Sequence, residues 1–199
     1  MVSGGAVSKH EKGRESRAAT DLVLAHPVLV RRLGKEEALA RIPALSDVLI
    51  DCVHGGASVS FMAPLSREKA DAFWRSVGED VAAGGRALLV AEDGPGGEIV
   101  GTVQLVLAQP ENQPHRADVS KMLVRQSARR RGIGGALMRA VEEVARQAGK
   151  TLLVLDTASD EAERLYARSG WARVGAVPGY ALLPDGRPCD TVFYYKQIG

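Results

Sequence analysis

Cysteine is scarce in this chain: 199 residues hold only Cys52 and Cys189. Two isolated thiols make no C-x-x-C pair or zinc spacing, and they fit a reducing compartment better than a disulfide scaffold. The four histidines, His10, His26, His54 and His115, show no ligand spacing either, so no metal is expected. No apolar run approaches the ~18 residues of a membrane span. Charge of one sign is also lacking. A formal net charge of +2 gives no global case for nucleic acid. Residues 1–20 are rich in Ser, Gly, Lys, Arg and Glu and lack the apolar core of a secretory signal, which fits a cytoplasmic protein with a mobile tail over 1–26. No internal repeat or second domain is visible, and 27–199 is long enough for one domain with its own core.

Against that background, the most informative stretch is Arg129-Arg130-Arg131-Gly132-Ile133-Gly134-Gly135-Ala136. It follows the apolar segment Met122-Leu123-Val124 and precedes an amphipathic run starting near Ala136. Strand, basic glycine-rich turn and helix start therefore occur in order. Such a turn aims several backbone N–H groups at one anion, with the helix dipole adding to the pull. Glycines allow close approach, and arginines add charge-assisted bonds to phosphate oxygens. A phosphate or pyrophosphate is the expected ligand. A P-loop would need Gly-Lys-Ser/Thr, and no lysine follows Gly132 or Gly135. A dinucleotide fingerprint needs G-x-G-x-x-G, and Leu137 stands at the third glycine.

What remains, Arg129-x-x-Gly132-x-Gly134, resembles the acetyl-CoA pyrophosphate loop of the GNAT N-acetyltransferase superfamily. After the helix come an apolar strand, 152–156, and the run Ala162 to Trp171. There Ala162, Tyr166, Gly170 and Trp171 match the pattern A-x-x-x-Tyr-x-x-x-Gly-aromatic of that family. Ser159 stands where the family often has Asn, and a serine can cap the helix and donate a hydrogen bond. The segments Val53 to Met62, Arg116-Ala117-Asp118-Val119 with Lys121-Met122, Leu155-Asp156-Thr157, Arg173-Val174-Gly175 and Pro178-Gly179-Tyr180 further resemble tabtoxin-resistance acetyltransferases.

Periodicity and turn signals predict strands at 28–33, 86–92, 99–108, 116–124, 152–156, 171–174 and 191–196. Helices are expected over 35–53 (broken near Pro43), 67–83, from about Ala136 to Gly149, and 160–169. Leu137, Val141, Val144, Ala145 and Ala148 should form the apolar face of the third of these. The fold class is α/β (α+β): one GNAT-like domain with a mixed, mostly antiparallel twisted sheet flanked by helices.

The resemblance implies acetyl-CoA as co-substrate and direct transfer to a small-molecule amine, such as a tabtoxin-like or amino-acid-like compound. No nucleic acid or membrane is implied; a homodimer is left open. Acetyl transfer needs a base for the amine, a donor for the oxyanion and a proton for the departing thiolate. By resemblance, the main chain of Met122, Leu123 and Val124 holds the acetyl and pantetheine groups. Arg129, Arg130, Arg131, Gly132, Ile133, Gly134 and Gly135 take the pyrophosphate, with Ser159 beside it. Tyr166 is the acid for the thiolate; a phenol of pKa ~10 stays protonated at neutral pH. Asp118 and Asp156 are both base candidates. A carboxylate of pKa ~4 needs burial, a water or simple attraction of the ammonium to serve an amine. His54, Gly55, Gly56, Ser58, Tyr180 and Asp185 could border the acceptor pocket or merely turn the chain. Two other readings stay open: acetylation of a protein or peptide amine, and a non-catalytic acyl-CoA-binding module.

Overall fold

The computed structural model describes Met1 and residues 28–199; the tail expected at 1–26 otherwise lies outside the described residues. Strands β1 (Val28–Leu33), β2 (Arg86–Asp93), β3 (Ile99–Val106), β4 (Arg116–Val124), β5 (Leu152–Thr157), β6 (Ala172–Leu182) and β7 (Pro188–Gln197) form one sheet in the order β1-β2-β3-β4-β5-β7-β6. β4 and β5 pair in parallel, and every other neighbouring pair is antiparallel. Helices α1 (Lys35–Ala40), α2 (Ile42–His54), α3 (Arg67–Ala82), α4 (Ile133–Gln147) and α5 (Asp160–Arg168) complete the domain. The expected mixed, mostly antiparallel sheet flanked by helices is the architecture found.

Strand alternation explains the layering. In β2, Ala87, Leu89 and Ala91 enter a core shared with α4, whereas Leu88 and Val90 enter another beneath α1, α2 and α3. Both faces are therefore dry, which is why β2 and β3 read as nearly unbroken apolar runs. On the α4 side, Ile133, Leu137, Met138, Val141 and Ala145 are buried. Met138 takes the place expected for Ala148, which is exposed because it lies beyond the last full turn. Within this face Glu142 is buried, and its carboxylate accepts bonds from Trp171 Nε1 (3.1 Å) and Lys196 Nζ (2.7 Å). The aromatic residue of the sequence pattern thus ties α4 to the chain after α5.

Some boundaries differ from expectation for identifiable reasons. The break between α1 and α2 falls at Arg41, because Pro43 sits in the first turn of α2, where its missing N–H costs nothing. α4 starts at Ile133, three residues before Ala136. Strand β6 runs on from 174 to Leu182 despite Pro178. It is the outermost strand, where a proline leaves no ladder bond unmade, and the register shift between Val177 and Ala181 absorbs it. Its partner β7 is correspondingly longer than 191–196.

Candidate functional site

The site begins where two strands part. β4 and β5 pair at Arg116–Leu152, Ala117–Leu153 and Asp118–Val154, and then separate. A cleft of about 400 Å³ fills the fork. One wall is β4 from Val119 to Val124; the other is Asp156, Thr157 and Ala158 at the end of β5. Gly55 to Val59, the loop after α2, borders it on one side, and Ser159, Ala162, Leu165 and Tyr166 of the α5 segment on the other. Arg129, Arg130 and Gly132 to Gly135 close the end nearest α4.

The loop at that end is built by backbone conformation. Gln126–Ala128 form one 3-10 turn, Arg130 has φ +62°, and Gly132, the residue before α4, has φ +78°. Gly132 is thus in the left-handed region, where glycine is at home. No side chain caps α4. The first N–H groups of a helix have no partner within it, so those of Ile133, Gly134 and Gly135 are disposed to take an anion. Gly134 also serves the packing. A Cβ there would lie 2.9 Å from Leu165 Cδ2, so its bareness lets α5 pack against the start of α4.

The arginines divide. Arg129 and Arg130 line the cleft, and Arg129 Nε donates to Val124 O at 3.4 Å. Arg131 turns away and grips Asp93 with two bonds of 3.0 and 2.8 Å, fastening the loop to the end of β2. Of the three arginines expected at the pyrophosphate, Arg131 is therefore the one whose side chain the fold spends on structure.

The acidic residues divide as well. Asp156 lines the cleft. Its side chain is open to the cleft, yet surrounding protein raises its pKa by desolvation; Lys121 opposes that and the Asp118 charge reinforces it. Asp118 lies outside the lining, held by Arg116 and by Gln109 Nε2 at 3.1 Å. It reaches the cleft only through its charge. Tyr166 is 5 % exposed, packed between Trp171 and Tyr194 with ring centroids 6.1 and 5.8 Å away. Burial, then the Asp156 charge, raises the pKa of its phenol, which stays protonated. Among the described residues its hydroxyl has no hydrogen-bond partner, although the ring lines the cleft. Ser159 Oγ accepts from Ala162 N at 3.4 Å as the cap of α5, leaving its O–H to donate.

On the far side, Gly55, Gly56 and Ser58 border the cleft rather than merely turning the chain. His54 does not: its Nε2 accepts from Leu65 N at 3.3 Å. Tyr180 packs edge-on against Phe193, and Asp185 is paired with Arg187. Neither lines the cleft.

Two further lining residues have no site role in the sequence reading. Cys52 donates to Val124 O at 3.5 Å, and burial pushes its thiol up to about 11, which makes it inert as a nucleophile. Lys121 points into the cleft from β4 with φ +50°. Burial lowers the pKa of its amine and Asp156 raises it. A lysine inside an otherwise apolar strand end was the available signal. Among the described residues, no group of three or more His, Cys, Asp or Glu side chains is arranged to hold a metal. No helix there is long and apolar enough to cross a membrane.

A strand parting from its parallel neighbour, with a left-handed glycine and an uncapped helix start at its end, makes an α/β cleft that ends in main-chain N–H groups suited to an anion. Residues 56–171, more than half of the chain, match the acetyltransferase (GNAT) family, and the chain belongs to that family. Solved structures agree in fold. An N-acetyltransferase from Staphylococcus aureus Mu50 is 20 % identical with a TM-score of 0.70, over 87 % of this chain and 99 % of that one. A ribosomal-protein-alanine N-acetyltransferase from Brucella melitensis is 25 % identical with a TM-score of 0.68, over 85 % and 99 %. A phosphinothricin acetyltransferase from Sinorhizobium meliloti, in complex with AcCoA, is 18 % identical with a TM-score of 0.71, over 86 % and 89 %. The family uses acetyl-CoA as co-substrate. The forked strands and the bare loop of this chain suit that molecule.

Proposed function

We propose that the chain transfers an acetyl group from acetyl-CoA directly to the amine of a small molecule in the cytoplasm, the unit responsible being residues 27–199. An amino-acid-like compound or a tabtoxin-like toxin is the acceptor class, with toxin resistance as one use. The observation that carries this reading is the fork between β4 and β5, which brings Asp156 and Tyr166 to one cleft that ends in the glycine loop.

Each residue then has a role. Acetyl-CoA supplies an activated acetyl group as a thioester. Gly132, Ile133, Gly134 and Gly135 offer main-chain N–H groups to its diphosphate, with Arg129 and Arg130 adding charge and Ser159 a hydroxyl. The main chain of Met122, Leu123 and Val124 orients the pantetheine arm and donates to the carbonyl oxygen. Asp156 attracts the ammonium and accepts its proton, directly or through a water; its raised pKa makes it a better base than an ordinary carboxylate. Asp118 sustains that raised pKa with its charge. Tyr166, protonated and without a hydrogen-bond partner for its hydroxyl among the described residues, gives its proton to the departing sulfur.

The test is a turnover screen with acetyl-CoA across amino acids, polyamines, aminoglycosides and peptides, read as free thiol. Thiol release with small amines is the expected result. The Brucella melitensis structure favours a second reading, acetylation of a protein amine; release only with peptides would establish it. CoA binding without thiol release on any acceptor would leave a non-catalytic acyl-CoA-binding module.

A further inference from the structure

Lys121 sits on the β4 wall of the cleft in a conformation that costs energy. Its φ of +50° lies in the left-handed region, worth roughly 1–2 kcal/mol against a side-chain-bearing residue. The strain coincides with a break in register, where β3 and β4 lose alignment between Thr102 and Gln104. Thr102 Oγ1 pins the irregularity by donating to Lys121 O at 3.0 Å. Such bulges re-aim a side chain, and strained backbone persists where a site needs it. Ser60, next to the cleft-lining Val59 in the loop after α2, is likewise left-handed, at φ +74°, and its Oγ accepts from Lys121 Nζ at 3.3 Å. Two strained residues from distant parts of the chain thus meet through one hydrogen bond.

The company Lys121 keeps does not neutralise it. Its ammonium lies 5.9 Å from the Phe73 ring centroid and against the Ser60 hydroxyl. Among the described residues, no carboxylate oxygen comes within the 4.0 Å of an ion pair, whereas many other cations of the chain have such partners. Asp156 on the opposite wall feels its charge from further away. Between its two walls the cleft therefore sets the Lys121 cation against the Asp156 anion, apart from Arg129 and Arg130 at the α4 end and from Glu161 and Arg168 of α5.

We propose that Lys121, with the Ser60 hydroxyl, binds a carboxylate carried by the acceptor, so that the substrate class is amines bearing their own carboxylate, oriented with the amine toward Asp156. This rests on the proposed acetyl transfer and deepens it. A bare alkylamine would leave the Lys121 charge without a partner inside the cleft, and selectivity follows from that penalty.

The experiment compares kcat/KM for the common amino acids and for their decarboxylated counterparts, in the wild type, Lys121→Met and Lys121→Arg. All three carry a side chain at the strained position, so the backbone cost is shared. The wild type should prefer the carboxylate member of each pair. Lys121→Met should cut that preference at least about tenfold, as loss of one charge-assisted bond requires, and Lys121→Arg should restore part of it. A preference for the decarboxylated amines, or an unaltered preference in Lys121→Met, would overturn the assignment. If no acceptor releases thiol, melting of the CoA-saturated protein with methionine decides separately. A rise in wild type that is lost in Lys121→Met keeps the carboxylate site while the transfer reading falls. Equal behaviour of the two proteins removes the site.

Discussion

Asp51 of α2 holds Gln126 of the 3-10 turn at both ends of the residue. Its Oδ2 accepts from Gln126 N at 2.7 Å, and its backbone carbonyl accepts from Gln126 Nε2 at 3.1 Å. The helix that leads into the acceptor-side loop is thereby fastened to the turn that leads into the glycine loop. Gly55 lies so close to the Gln126 amide that a Cβ would fall 2.8 Å from its Cδ. Removing the carboxylate should loosen the cofactor end of the cleft. Asp51→Ala is expected to raise KM for acetyl-CoA by about tenfold, the lower end for a lost bond to a charged acceptor. Initial-rate kinetics check this, and an unchanged KM would show that the turn is rigid without its tether.

Gly134→Asp should be more damaging at the same end. The new side chain meets Leu165, and its negative charge enters a loop arranged for phosphate. KM for acetyl-CoA is expected to rise at least about tenfold, with Gly134→Ala intermediate, because Leu165 can move its far end aside. Wild-type cofactor kinetics in Gly134→Asp would contradict the placement of the diphosphate.

Tyr166→Phe should lower kcat by about 100-fold, the lower bound usual for loss of a positioned general acid, with little effect on cofactor affinity. Because burial raises the phenol's pKa, the wild type should show no alkaline loss of rate from this group through pH 10. A pH–rate profile and single-turnover measurements on both proteins provide the check. Equal single-turnover rates would remove Tyr166 as the acid.

Asp156 separates function from stability. A carboxyl whose folded pKa is raised favours the fold below its unfolded pKa of about 4, and that contribution is lost as pH rises through the raised value. At neutral pH its charge therefore opposes folding. Asp156→Asn should melt at the same temperature or higher while kcat/KM for the acceptor falls. In the wild type the acid limb of kcat/KM should be shifted upward from that of an ordinary aspartate. A clear drop in melting temperature for Asp156→Asn would show instead that its attraction to Lys121 outweighs desolvation.

Glu142 offers a control far from chemistry. Glu142→Ala strips Trp171 Nε1 and Lys196 Nζ of their shared acceptor. Lys196 keeps Ser169 O and some solvent, so the loss should be about 2–3 kcal/mol, below the figure for a fully buried pair. Urea unfolding measures it; cofactor KM should move little.

Much of this was legible in the letters because backbone requirements leave residue-type traces. Gly132 marks a left-handed turn, and Ala162, Tyr166, Gly170 and Trp171 fix a helix and its exit. The assignment of partners left no such trace. Nothing in the sequence distinguishes Arg131 from Arg129 and Arg130, since its commitment to Asp93 depends on where β2 ends. Asp118 and Asp156 read alike until the strands separate, which leaves one in a salt bridge and the other in the cleft. Lys121 was hidden for a different reason: a bulge flips the facing rule of a strand, and bulges depend on the partner strand as much as on the strand that bends. The run of β6 beyond 174, through Pro178, left no trace because the place of that strand at the sheet edge is not written in the letters.

Three rungs join β4 to β5, and beyond them the facing edge of β4 has no neighbouring strand among the described residues. An extended amide-bearing molecule seated there would act as a borrowed strand, closing a seam that the polypeptide alone leaves unstitched. Sheet cohesion across the middle of the domain would then depend on cargo. Amide hydrogens of Met122 and Val124 should exchange with solvent more slowly whenever the cosubstrate is loaded.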